Sequence, residues 1–348
     1  MNTTNTFIHL RVLSSYSLLQ SMNTIEKLCQ IANKYNIQHL PITDNNNLFG
    51  SLEFSITAKQ YNITPIIGAI VPIDQNETKL LILAKNKNGY QNLIKLISYY
   101  YQNKKYISID ILLQHNEDLI VLSGYTQGPI GYHLLKNDTK KAIYYTEQLQ
   151  KIFQDRFYYE IMRHGLESEN SIEYEYIQLS LKYNIPLVAT NNILFSFKEQ
   201  HQKEKTYQAH DTLWCIANNN KKEDNQRLKS CSEYYFKSPE EMIQLFADIP
   251  NAIKNTIEIA KRCAYSPIPQ KATLPKFCKN ENTILKNQSI TGLFTKLQYD
   301  NYANESQPYT FDKKKKYTLK EKTEILKNNY LKYYERMIYE LNIICILY

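Results

Sequence analysis

The sequence predicts an α/β fold of largely parallel strands with helices outside, arranged as an open sheet or a closed barrel. Two observations carry that prediction. Short apolar runs alternate with stretches of helical periodicity from the start of the chain to about residue 190, the pattern of repeated strand–helix–strand units. At 348 residues the chain can bury one large core with a smaller appendage, and the alternation stops near residue 191, which bounds the α/β part.

Each element has its own signal. FIHLRVLSSYS (Phe7 to Ser17) opens as a strand. NTIEKLCQIANKY places Ile25, Leu28, Ala32 and Tyr35 at helical spacing, with Asn23 as the expected cap and Glu26 three residues on. HLPIT (His39 to Thr43) is a short buried strand, SLEFSITAKQY a helix, and TPIIGAIVPI a strand bracketed by Pro65 and Pro72. KLLILA, DLIVLSG, RFYYEIM and IPLVATN are the next strands. The helices between them are GYQNLIKLISYYY, GPIGYHLLKN with KKAIYYTEQLQKIF, and SIEYEYIQLSLKYN. Phe49, Leu93, Trp214 and Phe246 are expected in the core.

Beyond residue 191 the pattern becomes helical. His210 and Asp211 are expected to open the helix of AHDTLWCI, where an aspartate suits the positive end. A lysine-rich loop follows over 218–230. SPEEMIQLF starts with Ser238 as cap, Pro239 in the first position and Glu241 reaching back, and NAIKNTIEIAKRC continues helical. SPIPQKATLPKF can be neither helix nor central strand. The expected organisation is therefore a barrel domain with C-terminal helices over 1–265, a proline-containing linker over 266–280, and an incomplete helical region over 281–348. The last helix still carries Met337, Leu341 and Ile344 in register when the chain stops at ILY, which fits a complete domain and a truncated chain equally.

Composition narrows the function classes. The absence of any run of 18 apolar residues, and of a basic N-terminal region followed by an apolar core, argues against membrane spanning and secretion. Six scattered cysteines without a CxxC read as ordinary thiols of a reducing cytoplasm. A net charge of +8 permits nucleic-acid contact, and Lys313, Lys314, Lys315 and Lys316 form a run able to meet a DNA backbone, although a solvated face is the commoner outcome.

In a parallel α/β barrel, catalytic side chains collect at the C-terminal ends of strands. His9 and Arg11 lie near the first strand, Asp44 ends the second, RFYYEIM contains Glu160 and delivers His164, and IPLVATN ends in Asn191 and Asn192. His9, Asp44 and His164 are imidazole and carboxylate donors of the kind that bind zinc or manganese and activate water against a phosphoester. The alternative is a set of strand-end polar residues, each satisfied locally.

The ordered set FIHLRVLSSYSLL, LPITDNNNLFGSLEF, ITPIIGA, NKNGYQNLIKLIS, LIVLSG, YYEIMRHG, IPLVATNN, AHDTLWCIA, YYFKSPEEMIQLFADIPNAIKNTIEIAKRC and YERMIYELNIIC resembles the N-terminal part of the bacterial DNA polymerase III alpha subunits, beginning with their polymerase-and-histidinol-phosphatase (PHP) domain. The resemblance implies a distorted (β/α)7, TIM-like barrel followed by helices leading toward a palm. It implies a metal cluster and phosphoester hydrolysis where the site is intact. Here His9, Asp44 and His164 stand at ligand positions, whereas Arg11, Leu13, Asn45, Ile70, Asn192 and Leu194 replace others. Leucine and isoleucine have no donor atoms, and a permanent guanidinium repels cations. Arg11 is expected to pair with Asp44.

These residues lead us to expect no catalytic residue and no cofactor in this chain, with residual Zn²⁺ or Mn²⁺ binding disfavoured and Mg²⁺ belonging to the family's full-length polymerase. The resemblance implies the proofreading exonuclease and other replicase subunits as partners, DNA as a further candidate, and a cytoplasmic, noncatalytic role. It also implies a chain truncated before the palm, unable to polymerise DNA alone. A PHP phosphoesterase or 3′–5′ exonuclease, and a nonfunctional truncated product, are the alternatives.

Overall fold

The computed structural model describes residues 7–103, 106–197, 199–224, 226–270, 275–299 and 315–347. The chain divides into two compact units, Met1–Pro269 and Gln270–Tyr348.

The first unit begins with an extended segment, then α1 (Ile25–Lys34), β1 (His39–Asn45), α2 (Ser51–Gln60), β2 (Thr64–Pro72), β3 (Lys79–Ala84), α3 (Lys87–Asn103), α4 (Ile109–Gln114) and β4 (Leu119–Leu122). It continues through α5 (Pro129–Leu135), α6 (Thr139–Phe153), β5 (Phe157–Ile161), α7 (Glu167–Lys182), β6 (Leu187–Ala189), α8 (Lys203–Ala217), α9 (Pro239–Leu245) and α10 (Pro250–Arg262). The strands form one six-stranded sheet in the order β1-β2-β3-β4-β5-β6. Side chains alternate along it, so that Leu80 and Ile82 join one apolar cluster with Leu119 and Val121, while Leu81 and Leu83 join a second with Ile120 and Leu122.

The α/β class is as the sequence predicts, but the sheet is mixed. β1–β2, β4–β5 and β5–β6 are parallel, whereas β2–β3 and β3–β4 are antiparallel. The link from β2 to β3 is only residues 73–78, too short for a parallel crossover. FIHLRVLSSYS does not join the sheet as a regular strand. Val12 makes an isolated parallel bridge with Ile193, beyond β6, while the Thr43 N–H of β1 donates to the Val12 carbonyl at 2.8 Å. The segment thus touches both ends of the strand order and closes the curl.

Several local expectations are corrected. Thr24, not Asn23, caps α1 by accepting from Lys27 N; Asn23 is buried and donates to the Leu13 carbonyl. His210 and Asp211 sit inside α8 rather than at its start, and Asp211 pairs with Arg227. Phe49 is 65% exposed, and Trp214 only half-buried, whereas Leu93 and Phe246 are in the core. The Ser238–Glu241 capping box forms as expected, with the Glu241 N–H donating to Ser238 Oγ and the Ser238 N–H to Glu241 Oε2.

The second unit comprises α11 (Glu281–Tyr299), α12 (Leu319–Asn329) and α13 (Leu331–Leu347). Ile290, Phe294, Leu297, Leu326 and Tyr330 form its core, and Thr318 caps α12 in a second capping box with Glu321. Lys313 and Lys314 lie outside the described residues; Lys315 pairs with Glu321 at 2.9 Å.

Candidate functional site

The strongest polar centre of the first unit is built on Glu160. A single carboxylate in the buried strand FYYEI needs partners, and it has four donors. Arg11 Nε donates to Oε1 at 2.8 Å and Arg11 Nη2 to Oε2 at 2.9 Å, a two-pronged pair in which both side chains are at most 1% exposed. Thr190, just beyond β6, donates through its hydroxyl to Oε1 at 2.7 Å. The Gly124 N–H, just beyond β4, donates to Oε2 at 3.1 Å. Ser123 Oγ accepts from the Glu160 N–H and shares a hydrogen bond with the Tyr176 hydroxyl. The expected Arg11–Asp44 pair is therefore replaced by Arg11–Glu160.

Asp44 is committed elsewhere. It is buried and accepts from the Ser14 N–H and hydroxyl, each at 2.7 Å, and from the Ser17 hydroxyl at 2.6 Å. Burial pushes its carboxyl above the ordinary range, while these bonds from Ser17 and Ser14 pull it back. Asn45 adds to the same turn: its N–H donates to Ser17 Oγ, and its side-chain amide bonds Gln20.

His9 Nε2 lies 2.8 Å from the Lys237 carbonyl. A carbonyl only accepts, so Nε2 carries the proton and Nδ1 is left as an acceptor, buried without a partner. Burial pushes its pKa down to about 3. The Lys237 ammonium in turn donates to Asn191 Oδ1 at 3.2 Å. His164 has the opposite tautomer: Nδ1–H donates to Glu169 Oε1 at 2.6 Å, and Nε2 accepts the Asn192 N–H at 3.2 Å. Leu13, Ile70 and Leu194 are buried core residues.

Residues 9–164 match the family model for the PHP domain. The DNA polymerase III subunit alpha of Rickettsia bellii is 41% identical over 351 residues, covering 97% of this chain and 28% of that protein. This chain carries a PHP domain of the DNA polymerase III alpha type. The same subunit of Caulobacter vibrioides is 34% identical over 84% of this chain and 27% of its own length, and that of Helicobacter pylori is 36% identical over 76% and 23%. The chain thus spans about a quarter of the length of these relatives. A two-domain protein from Bacteroides vulgatus, described as containing a predicted PHP-like metal-dependent phosphoesterase, aligns at 11% identity and a TM-score of 0.39, covering 71% of this chain and 63% of that one.

A PHP domain raises the question of a metal cluster, and the donor set here does not fit one. A dication needs several lone pairs free to converge. His9 turns its one proton to a carbonyl and keeps only the Nδ1 lone pair free, while the His164 Nε2 lone pair is taken by a backbone amide and the oxygens of Asp44 and Glu160 are taken by donors, so a single free lone pair remains where several would have to converge. Among the described residues no three His, Cys, Asp or Glu side chains are grouped to hold an ion. Sequence reasoning named Glu160 without a role and missed Glu169 and Lys237. A lone acid inside FYYEI was the available signal for the first; Lys237 meets His9 through its backbone carbonyl, which leaves no trace in the sequence, and Asn191 through an ammonium that a lysine between an aromatic pair and a helix cap does not announce.

Proposed function

We propose that this PHP domain is a noncatalytic structural and interaction module of a replicase. The observation that carries this reading is the Arg11–Glu160 pair, with a fixed positive charge where a cluster of cations would need donors. The relationship to DNA polymerase III alpha subunits supports a replisome setting, with the proofreading exonuclease and other replicase subunits as partners and DNA as a further contact. No step of polymerisation or hydrolysis is assigned to the residues of this chain. The alternative is a metal-dependent phosphoesterase or 3′–5′ exonuclease.

Protein purified without chelator should hold well under one equivalent of zinc or manganese by elemental analysis. It should also release no nucleotide from a 3′-labelled DNA strand and no phosphate from a phosphoester. Stoichiometric metal, with hydrolysis lost in His9→Ala or Asp44→Asn, would establish the phosphoesterase instead.

A further inference from the structure

The segment Phe7–Ser14 has an unusual task, because few backbone bonds hold it to either side of the curl. On the β1 side the Thr43 N–H donates to the Val12 carbonyl, the Val12 N–H donates to Thr43 Oγ1 at 2.9 Å, and the Ser14 N–H donates to Asp44 Oδ1 at 2.7 Å. On the other, the Leu13 N–H donates to the Ile193 carbonyl at 3.2 Å, and the Ile193 N–H to the Arg11 carbonyl at 3.4 Å. Every residue from Phe7 to Ser14 is buried. Apolar side chains serve both cores, Ile8, Leu10, Val12 and Leu13 in one cluster and Phe7 in the other. An apolar pattern of that kind discriminates poorly against a one-residue slip, which exchanges the two faces.

We infer that the Arg11–Glu160 pair is a register pin of this barrel, locking the middle of the closing segment in place between the His9–Lys237 contact on one side of it and the Ser14–Asp44 contact on the other. This rests on the noncatalytic reading above. The guanidinium fork requires two parallel N–H···O bonds, and its carboxylate is itself fixed by Thr190 beyond β6 and Gly124 beyond β4. A slip of one residue moves the chain by about 3.3 Å. It would place the guanidinium among apolar neighbours and leave Glu160 buried without its counter-charge. Directional burial of this kind excludes alternatives more than it adds stability, since an apolar pair of similar volume can be as stable.

The test uses the full chain and amide hydrogen exchange. In the double variant Arg11→Met/Glu160→Met, the unfolding midpoint should fall only by what the Thr190 hydroxyl and the Gly124 N–H lose with their acceptor. The Val12, Leu13 and Ile193 amides should exchange about tenfold faster or more, while the amides of α3 keep their protection. Wild-type protection of those three amides in the double variant would overturn the pin. Should that variant not fold, Arg11→Lys carries the same readout, because lysine keeps the charge and loses the fork. Adding Zn²⁺ or Mn²⁺ to the wild type should leave its unfolding temperature unchanged. A metal-dependent rise would sink the noncatalytic reading while leaving the exchange result to be judged separately.

Discussion

His9 shows how a side chain suited to metal binding becomes a structural residue. The rings of Phe7 and Phe236 approach it edge-on with centroids at 4.7 Å each, and the Lys237 carbonyl takes its one proton. Burial drives its pKa from 6.5 to about 3, outweighing the carbonyl bond that favours the charged form. The folded state therefore binds fewer protons than the unfolded chain between those values. Stability from this group is fully present above pH 6.5 and is lost as pH falls from there toward 3. At pH 5 the loss is roughly 2 kcal/mol. His9→Phe leaves the Lys237 carbonyl unpaired and should be less stable at pH 7, but the gap to wild type should narrow by roughly 2 kcal/mol at pH 5. Urea midpoints at the two pH values measure this, and a constant gap would show that His9 is not held neutral. The raised Asp44 acts with the opposite sign: its contribution is full at low pH and falls as pH rises through the window above the ordinary carboxylate value. At this scale the sequence was half legible. It marked Arg11 as a buried cation needing a partner. The choice of Glu160 over Asp44 depends on how distant strands meet and on the Ser14 and Ser17 donors that already satisfy Asp44.

Elements were more legible than partners, because periodicity and capping act locally. Most helices and the six strands lie where apolar runs and caps place them, since each needs only neighbours in sequence. The misses have nonlocal causes. β3 reads as one more strand of a parallel set, but its short link from β2 turns it antiparallel. Phe49 lies beside Asn47, whose Oδ1 accepts the Phe49 N–H and whose amide holds the Tyr16 carbonyl; a well-bonded loop can keep an aromatic ring outside. The turn after β4 is more demanding. Gly124 has φ +81°, and a Cβ there would lie 2.0 Å from the Lys79 carbonyl oxygen, while its N–H serves Glu160. Gly124→Ala should therefore destabilise by about 2 kcal/mol or more through strain and contact. Removing the Ser238 cap by Ser238→Ala should cost only about 1 kcal/mol. Denaturant unfolding compares the two directly, and equal losses would mean that the turn relaxes freely around the new methyl group.

On the scale of the whole molecule, charge and core are divided unequally. Of the chain's net +8, the second unit carries 14 Lys and Arg against 8 Asp and Glu. The larger unit is therefore close to neutral and the smaller one strongly basic, which places any electrostatic attraction for a phosphate backbone with residues 270–348. The first unit contains both large apolar clusters and the Glu160 network, and the second has its own small core around Phe294 and Leu326. A unit that buries its own core and satisfies its own polar centre should fold without the other. The fragment 1–269 should unfold in one cooperative transition and keep the slow amide exchange of β3 and β4 seen in the full chain. Duplex DNA affinity at low salt, measured by anisotropy, should fall when residues 270–348 are removed, and the full chain's affinity should drop steeply with added salt. A fragment that binds as tightly as the full chain would move the contact onto the PHP barrel. One that is unfolded would show that the Arg11–Glu160 network and its surrounding core need the helical unit to hold them.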